Sequence, residues 1–243
     1  MQRHKLIKLL SPTVVIGKAT IINCDCMEYM ATLPDKAFDL AIVDPPYGMD
    51  FGSFNRTNCL ANGTRIKADK YKNADWDKGI PTDEYFAELS RVAKHSIIWG
   101  GNYFDLPPTQ GFVFWYKQNP VDNFSDGEYA WTSFQRPAKC FNFKYYGNLE
   151  GHTSASEKIH PTQKPVKLYE WLLTNYAKPG QRILDTHLGS GSHAIACNNL
   201  GFELVGCELD KDYFDSAVKR IKSANSIGRL FTPEQIYKSR KSE

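Results

Sequence analysis

The tetrapeptide Asp44-Pro45-Pro46-Tyr47 brings a carboxylate, two prolines and an aromatic ring together directly after a short apolar run. Because neither proline can donate to a sheet ladder, a strand that reaches Asp44 must stop there, and the turn that follows is stiff. Asp44 and the Pro45 carbonyl could accept the two protons of an amine while Tyr47 stacks on the ring that carries it. The pattern favours a site for a planar group with an exocyclic amine, and the alternative is a rigid turn with a surface acid.

The apolar run before this turn, Leu40 to Val43, predicts a short buried strand. A helix is expected from Thr82 to Val92, and strands are expected at Ser96 to Trp99 and at Gly111 to Tyr116. Open α/β sheets bind their ligands at the carboxyl ends of their strands. The tetrapeptide therefore stands where such a fold places its site.

A second candidate site lies near the C-terminus, between a strand expected at Arg182 to Asp185 and a helix expected at His193 to Leu200. The turn between them contains Gly189, Ser190, Gly191 and Ser192. Glycines let a ligand approach the backbone closely and expose amide N–H groups at the start of the helix. The turn is not the dinucleotide fingerprint, and no lysine follows the last glycine as in a phosphate-binding loop.

Acidic residues stand at the ends of several expected strands. Asp185 ends one strand and Glu208 ends the next, where a carboxylate suits a ribose diol. Two acids with a glycine turn between them indicate a nucleoside site without a pyrophosphate, and a nucleotide site of another class is the alternative. Asp25 follows a strand expected at Ala19 to Ile22 and opens a helix expected at Met27 to Leu33, so it could cap the helix, accept a bond from a ligand N–H, or do both.

The segment 48–80 is expected to be a long loop that leaves directly from the tetrapeptide. It interleaves aromatic and basic side chains, among them Phe51 and Arg56, and this combination suits a nucleic-acid backbone. The alternative is a solvated insertion.

The segment 119–156 is also polar and aromatic. Two strands, Glu128 to Phe134 and Cys140 to Tyr145, are expected to form a hairpin-like excursion within it. Phe141 and Phe143 alternate, so they share one face of the second strand. That face either packs on the core or supplies a second stacking wall for a base.

Composition sets outer limits on the function. The 243 residues fit one domain, and a hydrophobic content of 42% is enough for a substantial core. The net charge of +3 permits an anionic partner without requiring one. The cysteines are scattered without a CxxC pair, which argues against a zinc site and favours reduced thiols in the cytoplasm. No apolar run approaches the roughly 20 residues of a membrane helix, and no signal peptide is evident.

Taken together, these motifs resemble those of the β-class DNA amino-methyltransferases. The resemblance rests on Asp44-Pro45-Pro46-Tyr47, on the later glycine-rich turn, and on His-Pro-Thr-Gln-Lys-Pro at 160–165, and it covers roughly residues 20–222. It implies an α/β fold, a Rossmann-like methyltransferase domain spanning 1–243, whose doubly wound, mostly parallel sheet carries helices on both faces. The segment 119–156 would be a small inserted target-recognition region, and 48–80 would be a substrate-binding loop.

The resemblance also implies roles for individual residues. S-adenosyl-L-methionine is the expected cofactor, Asp44 to Tyr47 are the expected catalytic residues, and Asp25 would reach the cofactor's adenine. Thr162, Gln163 and Lys164 would position the methionine end rather than act as acid or base. The other expected cofactor-binding residues are Asp185, His187, Gly189, Ser190, Gly191, Ser192 and Glu208. The sequence departs from many members at His187, where they carry Phe, and at Ser192-His193, where they carry Thr-Thr.

Asp at the first motif position goes mainly with adenine in that family, so the expected reaction is methylation of adenine N6 in a flipped-out base of double-stranded DNA, without a metal. The alternatives are cytosine N4, an RNA or another amide or amine substrate, and a nucleic-acid-binding subunit that has lost catalysis. The last would show a damaged motif, and both motifs are intact. A homodimer is compatible with the resemblance, although no stretch of the sequence marks a dimer surface.

Overall fold

The computed structural model describes residues 11–49, 79–118, 125–145, 159–226 and 231–241. Within these residues the strands form one nine-stranded sheet in the order β1-β2-β9-β8-β3-β4-β6-β5-β7. The strands are β1 Thr13–Ile16, β2 Ala19–Asn23, β3 Phe38–Val43, β4 Ala93–Trp99, β5 Phe112–Tyr116, β6 Gly127–Thr132, β7 Lys139–Asn142, β8 Arg182–Asp185 and β9 Glu203–Glu208. The helices are α1 Cys26–Met30, α2 Asp83–Val92, α3 Val166–Tyr176, α4 Ser192–Leu200, α5 Lys211–Ser226 and α6 Pro233–Lys241, with a 3₁₀ turn at Gly101–Tyr103.

The sheet is mostly parallel, as expected. Strands β2, β9, β8, β3 and β4 pair in parallel, and β5 and β7 run in the same direction. Only β1 and β6, among the described strands, run antiparallel to their neighbours. The carboxyl ends of β2, β9, β8, β3 and β4 therefore meet at one edge, which collects Asp25, Glu208, Asp185 and Asp44.

Alternation along β3 explains why helices cover both faces of the sheet. Leu40 and Ile42 belong to a core cluster that includes residues of α3, α4 and α5. Ala41 and Val43 point to a second cluster, built with residues of α1 and α2. Successive side chains of a strand point to opposite faces, so an apolar run with no polar interruption requires cover on both sides. The predicted doubly wound architecture is confirmed.

The expected hairpin within 119–156 is wrong. Strand β5 lies between β6 and β7, pairing antiparallel with β6 and parallel with β7. Strand β6 pairs on its other side with β4, with Ile98 opposite Trp131. Both strands are thus part of the main sheet, because β5 supplies an edge that each of them can hydrogen-bond. Alternation within a strand identifies its buried face but not its pairing partner.

Smaller differences concern one helix end and two elements that were not expected. Helix α1 ends at Met30 rather than at Leu33, and the residues beyond it close into hydrogen-bonded turns. Strand β1 and helix α6 were not expected. Helix α6 packs on α4 and α3, where the Tyr237 hydroxyl donates to the Ala177 carbonyl at 2.9 Å. The charged C-terminal helix α6 therefore still has one face that packs against the rest of the protein.

Across the described ranges, no helix is long and apolar enough to cross a membrane. Nor do His, Cys, Asp and Glu side chains in these ranges cluster in a way that could hold a metal ion. The five cysteines within them are free thiols.

Candidate active site

Both oxygens of the Asp44 carboxylate accept hydrogen bonds at the end of β3. The Tyr47 hydroxyl donates to Oδ1 at 2.5 Å, and the Lys164 ammonium donates to Oδ2 at 2.6 Å. The same ammonium lies 3.3 Å from the Tyr47 hydroxyl. The stiff turn thus places its acid and its aromatic ring in one polar cluster, and it leaves further carboxylate lone pairs for another donor.

Lys164 connects this cluster to a second carboxylate. Its Nζ lies 3.1 Å from Oε2 of Glu128, and only 4% of the residue is exposed. Glu128 is also paired with Lys117, which follows β5. Two carboxylates and two ammonium groups therefore alternate in a chain from Lys117 to Asp44.

Sequence reasoning missed Glu128 and Lys117, and it placed Lys164 with the cofactor rather than beside Asp44. One feature of the sequence could have identified Glu128: it is an acid in a strand whose other large residues, Tyr129 and Trp131, are aromatic. A charged residue in such a strand needs a partner if it is buried. Lys117 offered no comparable signal.

The surroundings shift the acidities of these groups in different directions. Burial raises the pKa of Asp44, and the neighbouring Lys164 ammonium opposes that shift. Burial also disfavours ionised Glu128, but Lys164 and Lys117 together lower the pKa of Glu128 to about 2. Burial disfavours the charged form of Lys164 too, yet Asp44 and Glu128 raise its pKa. Burial therefore acts against the charge on Asp44, Glu128 and Lys164, and the ion pairs between them act in its favour.

The ring of Tyr47 is held by close neighbours. Tyr103 stacks on it with ring centroids 5.0 Å apart and an interplanar angle of 18°. Phe104 meets it edge-on at 6.2 Å. Gly100, at a φ of +70°, lies against the same ring, and a Cβ built there would stand 2.2 Å from Tyr47 Cε1.

Gly100→Ala is expected to displace the Tyr47 ring and lower the catalytic constant by about tenfold, because small misplacements in an active site are costly. Gly180→Ala is the matched control: its φ is +86°, so the backbone strain is similar, but a Cβ there would meet nothing within 4 Å. Thermal melts should show that Gly180→Ala loses about 1–3 kcal/mol through backbone strain alone. Gly100→Ala should lose more, because the contact with Tyr47 adds to the same strain. Equal catalytic constants for the two variants would contradict this role of Gly100.

At the end of β9, Glu208 is bound to the glycine-rich turn. Its Oε2 accepts from the Gly189 amide at 2.8 Å, and its Oε1 accepts from the Asp210 amide at 3.0 Å. Burial raises the pKa of Glu208 to about 7, although both hydrogen bonds work against the shift. Each oxygen keeps a lone pair, so the carboxylate can accept from a diol when it is ionised.

Asp185 is buried at the end of β8 and organises the start of the same turn. Its Oδ1 accepts from the His187 amide at 3.0 Å, and its Oδ2 lies 2.9 Å from Nδ1 of buried His193. The His187 ring contacts the Thr186 hydroxyl through Nδ1 at 2.9 Å, and burial lowers the pKa of His187 to about 4. His187 is therefore neutral at physiological pH, and Asp185 serves the geometry of the turn.

Ser190, Gly191 and Ser192 complete the turn at the start of α4. Gly191 has a φ of +75°, and a Cβ there would stand 2.8 Å from Ile221, so this position requires glycine. The Arg220 guanidinium donates to the Ser190 carbonyl at 2.8 Å and to the Ser192 hydroxyl at 3.0 Å. The turn is thereby anchored to α5.

The remaining predicted cofactor residues flank this edge. The Asp25 carboxylate accepts from the Met27 amide at 2.6 Å, which is the helix-capping role anticipated as one alternative. The Thr162 hydroxyl lies 3.1 Å from His160 Nδ1, and the Gln163 side chain accepts from the Ile159 amide at 3.1 Å. Carbon atoms of the His160 ring would stand about 3.7 Å from a Cβ at Gly189, so these residues border the glycine-rich turn.

The predicted substrate-binding residues fall into two groups. Phe51 and Arg56 lie outside the described residues, as does the rest of 50–78. Phe141 is buried and packs on Trp171 at 5.3 Å and on Phe143 at 5.6 Å between ring centroids. These contacts are those of core packing, and a stacking role for Phe141 and Phe143 stays a prediction.

The chemistry of this edge fits S-adenosyl-L-methionine. Glu208 offers a half-buried carboxylate for a ribose diol, and the glycine-rich turn brings bare backbone beside it. The neighbouring strand β3 carries the Asp44 cluster at the same edge, with Ala41 opposite Leu184 of β8. A nucleoside with a reactive side chain can thus lie across the strand ends and reach Asp44.

Comparison with known families adds independent information. A family model for N6 and N4 methyltransferases, described as DNA methylase, matches residues 98–219, which is half of the chain. Among curated relatives, the Type II methyltransferase M.HinfI of Haemophilus influenzae is 28% identical over 253 residues, covering 84% of this chain and 68% of that protein. The Type II methyltransferase M2.DpnII of Streptococcus pneumoniae is 24% identical over 252 residues, covering 86% and 91%.

Solved structures share the fold. The M1.HpyAVI–SAM complex matches with a TM-score of 0.53 and 24% identity, covering 83% of this chain and 99% of that one. The PvuII DNA methyltransferase, described as cytosine-N4-specific, matches with a TM-score of 0.54 and 12% identity, covering 94% of each chain. The predicted Rossmann-like methyltransferase fold is confirmed.

Proposed function

Because the chain belongs to the DNA methylase family, we propose that it transfers a methyl group from S-adenosyl-L-methionine to the N6 amine of adenine in double-stranded DNA. The single observation that carries the proposal is the Asp44 cluster beside a nucleoside-binding edge. Asp44 forms an ion pair with Lys164, and it stands on a proline-stiffened turn with Tyr47.

Glu208 would bind the ribose hydroxyls of the cofactor, and Asp25 would accept from its adenine amine. The turn from Gly189 to Ser192 would lie beneath the methionine portion, which carries both an ammonium and a carboxylate. Asp185 and His187 would shape that turn rather than react. Thr162 and Gln163 border the turn from the opposite side and would complete the pocket.

When bound, S-adenosyl-L-methionine supplies an electrophilic methyl group whose C–S bond breaks as the new N–C bond forms. The chain's own residues make the amine ready for that step. An aromatic amine is a poor nucleophile because its lone pair is delocalised into the ring. Asp44 and the Pro45 carbonyl accept its two N–H groups and bias the nitrogen toward tetrahedral geometry. The nitrogen gives up one proton, which Asp44 accepts and releases to solvent, so charge balances with S-adenosylhomocysteine as the second product.

A base within a duplex cannot reach Asp44, so it must leave the stack at a cost of a few kcal/mol. Stacking on Tyr47 would offset part of that cost, at roughly 1–3 kcal/mol per base. Segment 48–80, with Phe51 and Arg56, is proposed to contact the DNA backbone, and Phe141 or Phe143 is the proposed second aromatic contact. The reaction requires no metal ion and no covalent enzyme intermediate.

Adenine is the proposed base because the motif begins with Asp rather than Ser. The fold alone does not select the base, since a structure described as cytosine-N4-specific shares it. Cytosine N4 presents a similar amine and is the second candidate. We further propose that the protein acts in the cytoplasm, and light scattering would test whether it forms the homodimer compatible with the motif pattern.

The deciding experiment is methyl transfer from labelled S-adenosyl-L-methionine to unmethylated bacterial genomic DNA, followed by digestion and nucleoside analysis. N6-methyladenosine is the expected product. N4-methylcytosine would retain the mechanism and overturn the base assignment. If the DNA carries no label while RNA in a parallel reaction becomes labelled, the DNA assignment is overturned.

A further inference from the structure

Asp44 stands at the end of a row of four charged side chains, Lys117, Glu128, Lys164 and Asp44. Lys164 is buried, and its ammonium contacts Oδ2 of Asp44 at 2.6 Å and Oε2 of Glu128 at 3.1 Å. Its position is therefore set by two carboxylates, one on the catalytic turn and one on β6. Glu128 is in turn held by Lys117, from the end of β5.

We propose that Glu128 is a positioning residue that holds the Lys164 ammonium between two carboxylates and so keeps Asp44 available to the substrate amine. The proposal rests on the proposed methyl transfer, and nothing in the motif pattern assigns a role to Glu128. Without Glu128, the full charge of Lys164 would turn to Asp44 and occupy the lone pairs that the amine needs.

The charge balance supports the same role. Methyl transfer moves the positive charge of a sulfonium toward the amine nitrogen, close to Asp44. The carboxylates of Asp44 and Glu128 offset the ammonium groups of Lys117 and Lys164. These four side chains together therefore add no net charge at the site of transfer. Removal of the Glu128 charge would leave one excess cation beside a nitrogen that is becoming positive.

Glu128→Gln is expected to lower the catalytic constant by about tenfold while the cofactor dissociation constant changes by less than about twofold. Both limbs of the pH–rate profile should move to lower pH. Loss of a neighbouring anion favours ionised Asp44 and disfavours protonated Lys164. Lys164→Met should move the acid limb in the opposite direction, because Asp44 then loses its cation.

Glu88→Gln is the matched control, because Glu88, like Glu128, pairs with a cation, here the Arg91 guanidinium, and lies on α2 away from the site. It should leave rate and profile unchanged. A purely structural role for Glu128 would lower the rate without moving the limbs, and that result would overturn the proposal, as would a Glu128→Gln variant that matches the wild type.

A second measurement separates this inference from the proposed function. The Asp44 carboxyl can be titrated by carbon-detected NMR, with its resonance assigned from Asp44→Asn. The midpoint should fall in Glu128→Gln and rise in Lys164→Met. This titration needs no turnover, so an inactive wild type would overturn the proposed function while the titration still decides the role of Glu128. An unchanged midpoint in Glu128→Gln would reject it.

Discussion

Asp44→Ala abolishes methyl transfer while S-adenosyl-L-methionine still binds: this is the largest effect that we expect from a single substitution. The variant lacks the acceptor that orients the amine, and loss of one preorganised polar group in an active site costs about 10²–10³ in rate. Single-turnover assays with labelled cofactor and calorimetric binding would measure the two properties separately.

Asp39→Ala is the matched control for Asp44, because Asp39 lies near the start of β3 and Asp44 follows the end of that strand. Its carboxylate pairs with Lys94 at 2.7 Å and accepts from the Arg182 amide at 2.9 Å. Loss of these surface contacts should cost little stability and no rate. Retained turnover in Asp44→Ala, or equal losses in both variants, would remove Asp44 from the mechanism.

Glu208→Ala should weaken cofactor binding by about 10- to 100-fold, since hydrogen bonds to a charged group contribute most of the specificity for a diol.

The wild type should also bind the cofactor more tightly as pH rises. Burial raises the pKa of Glu208 to about 7, so at lower pH the carboxyl is protonated and must lose its proton before it accepts from the diol. Affinity near pH 6 should therefore be about tenfold lower than near pH 8.

Calorimetry in buffers of different ionisation enthalpy would detect the proton released on binding below about pH 7. His187 does not titrate in the pH range used, because burial lowers the pKa of His187 to about 4. Glu203→Gln is the control, since Glu203 starts the same strand and lies on the surface near Arg182. A pH-independent affinity in the wild type would show that Glu208 does not receive the ribose.

The positions of candidate site residues could be predicted from the sequence wherever local chemistry determines the structure. Asp44, Asp185 and Glu208 each end an apolar strand, and parallel strands bring such ends to one edge. Prolines and glycines mark the turns because their backbone preferences act locally.

What sequence reasoning missed depends on contacts between distant segments. The pairing of Trp115 with Glu128 across β5 and β6 brings this acid into the Asp44 cluster, and no pattern within either strand encodes that pairing. The same pairing is incompatible with the expected hairpin, because β5 lies between its two strands. Lys164 was recognised as part of a motif, but its contact with Asp44 spans 120 positions in the chain and follows only from the folded sheet.

The insertion of β5 between β6 and β7 has a consequence for protein engineering. Segments between the two motifs are natural candidates for exchange when a new DNA recognition site is wanted, on the assumption that they are modular. Here that region also supplies Lys117 and Glu128 to the ion pairs beside Asp44, so it is not a separable unit. A chimera that replaces β5 to β7 as a block must carry an equivalent cation and carboxylate, or the exchange will alter turnover along with recognition.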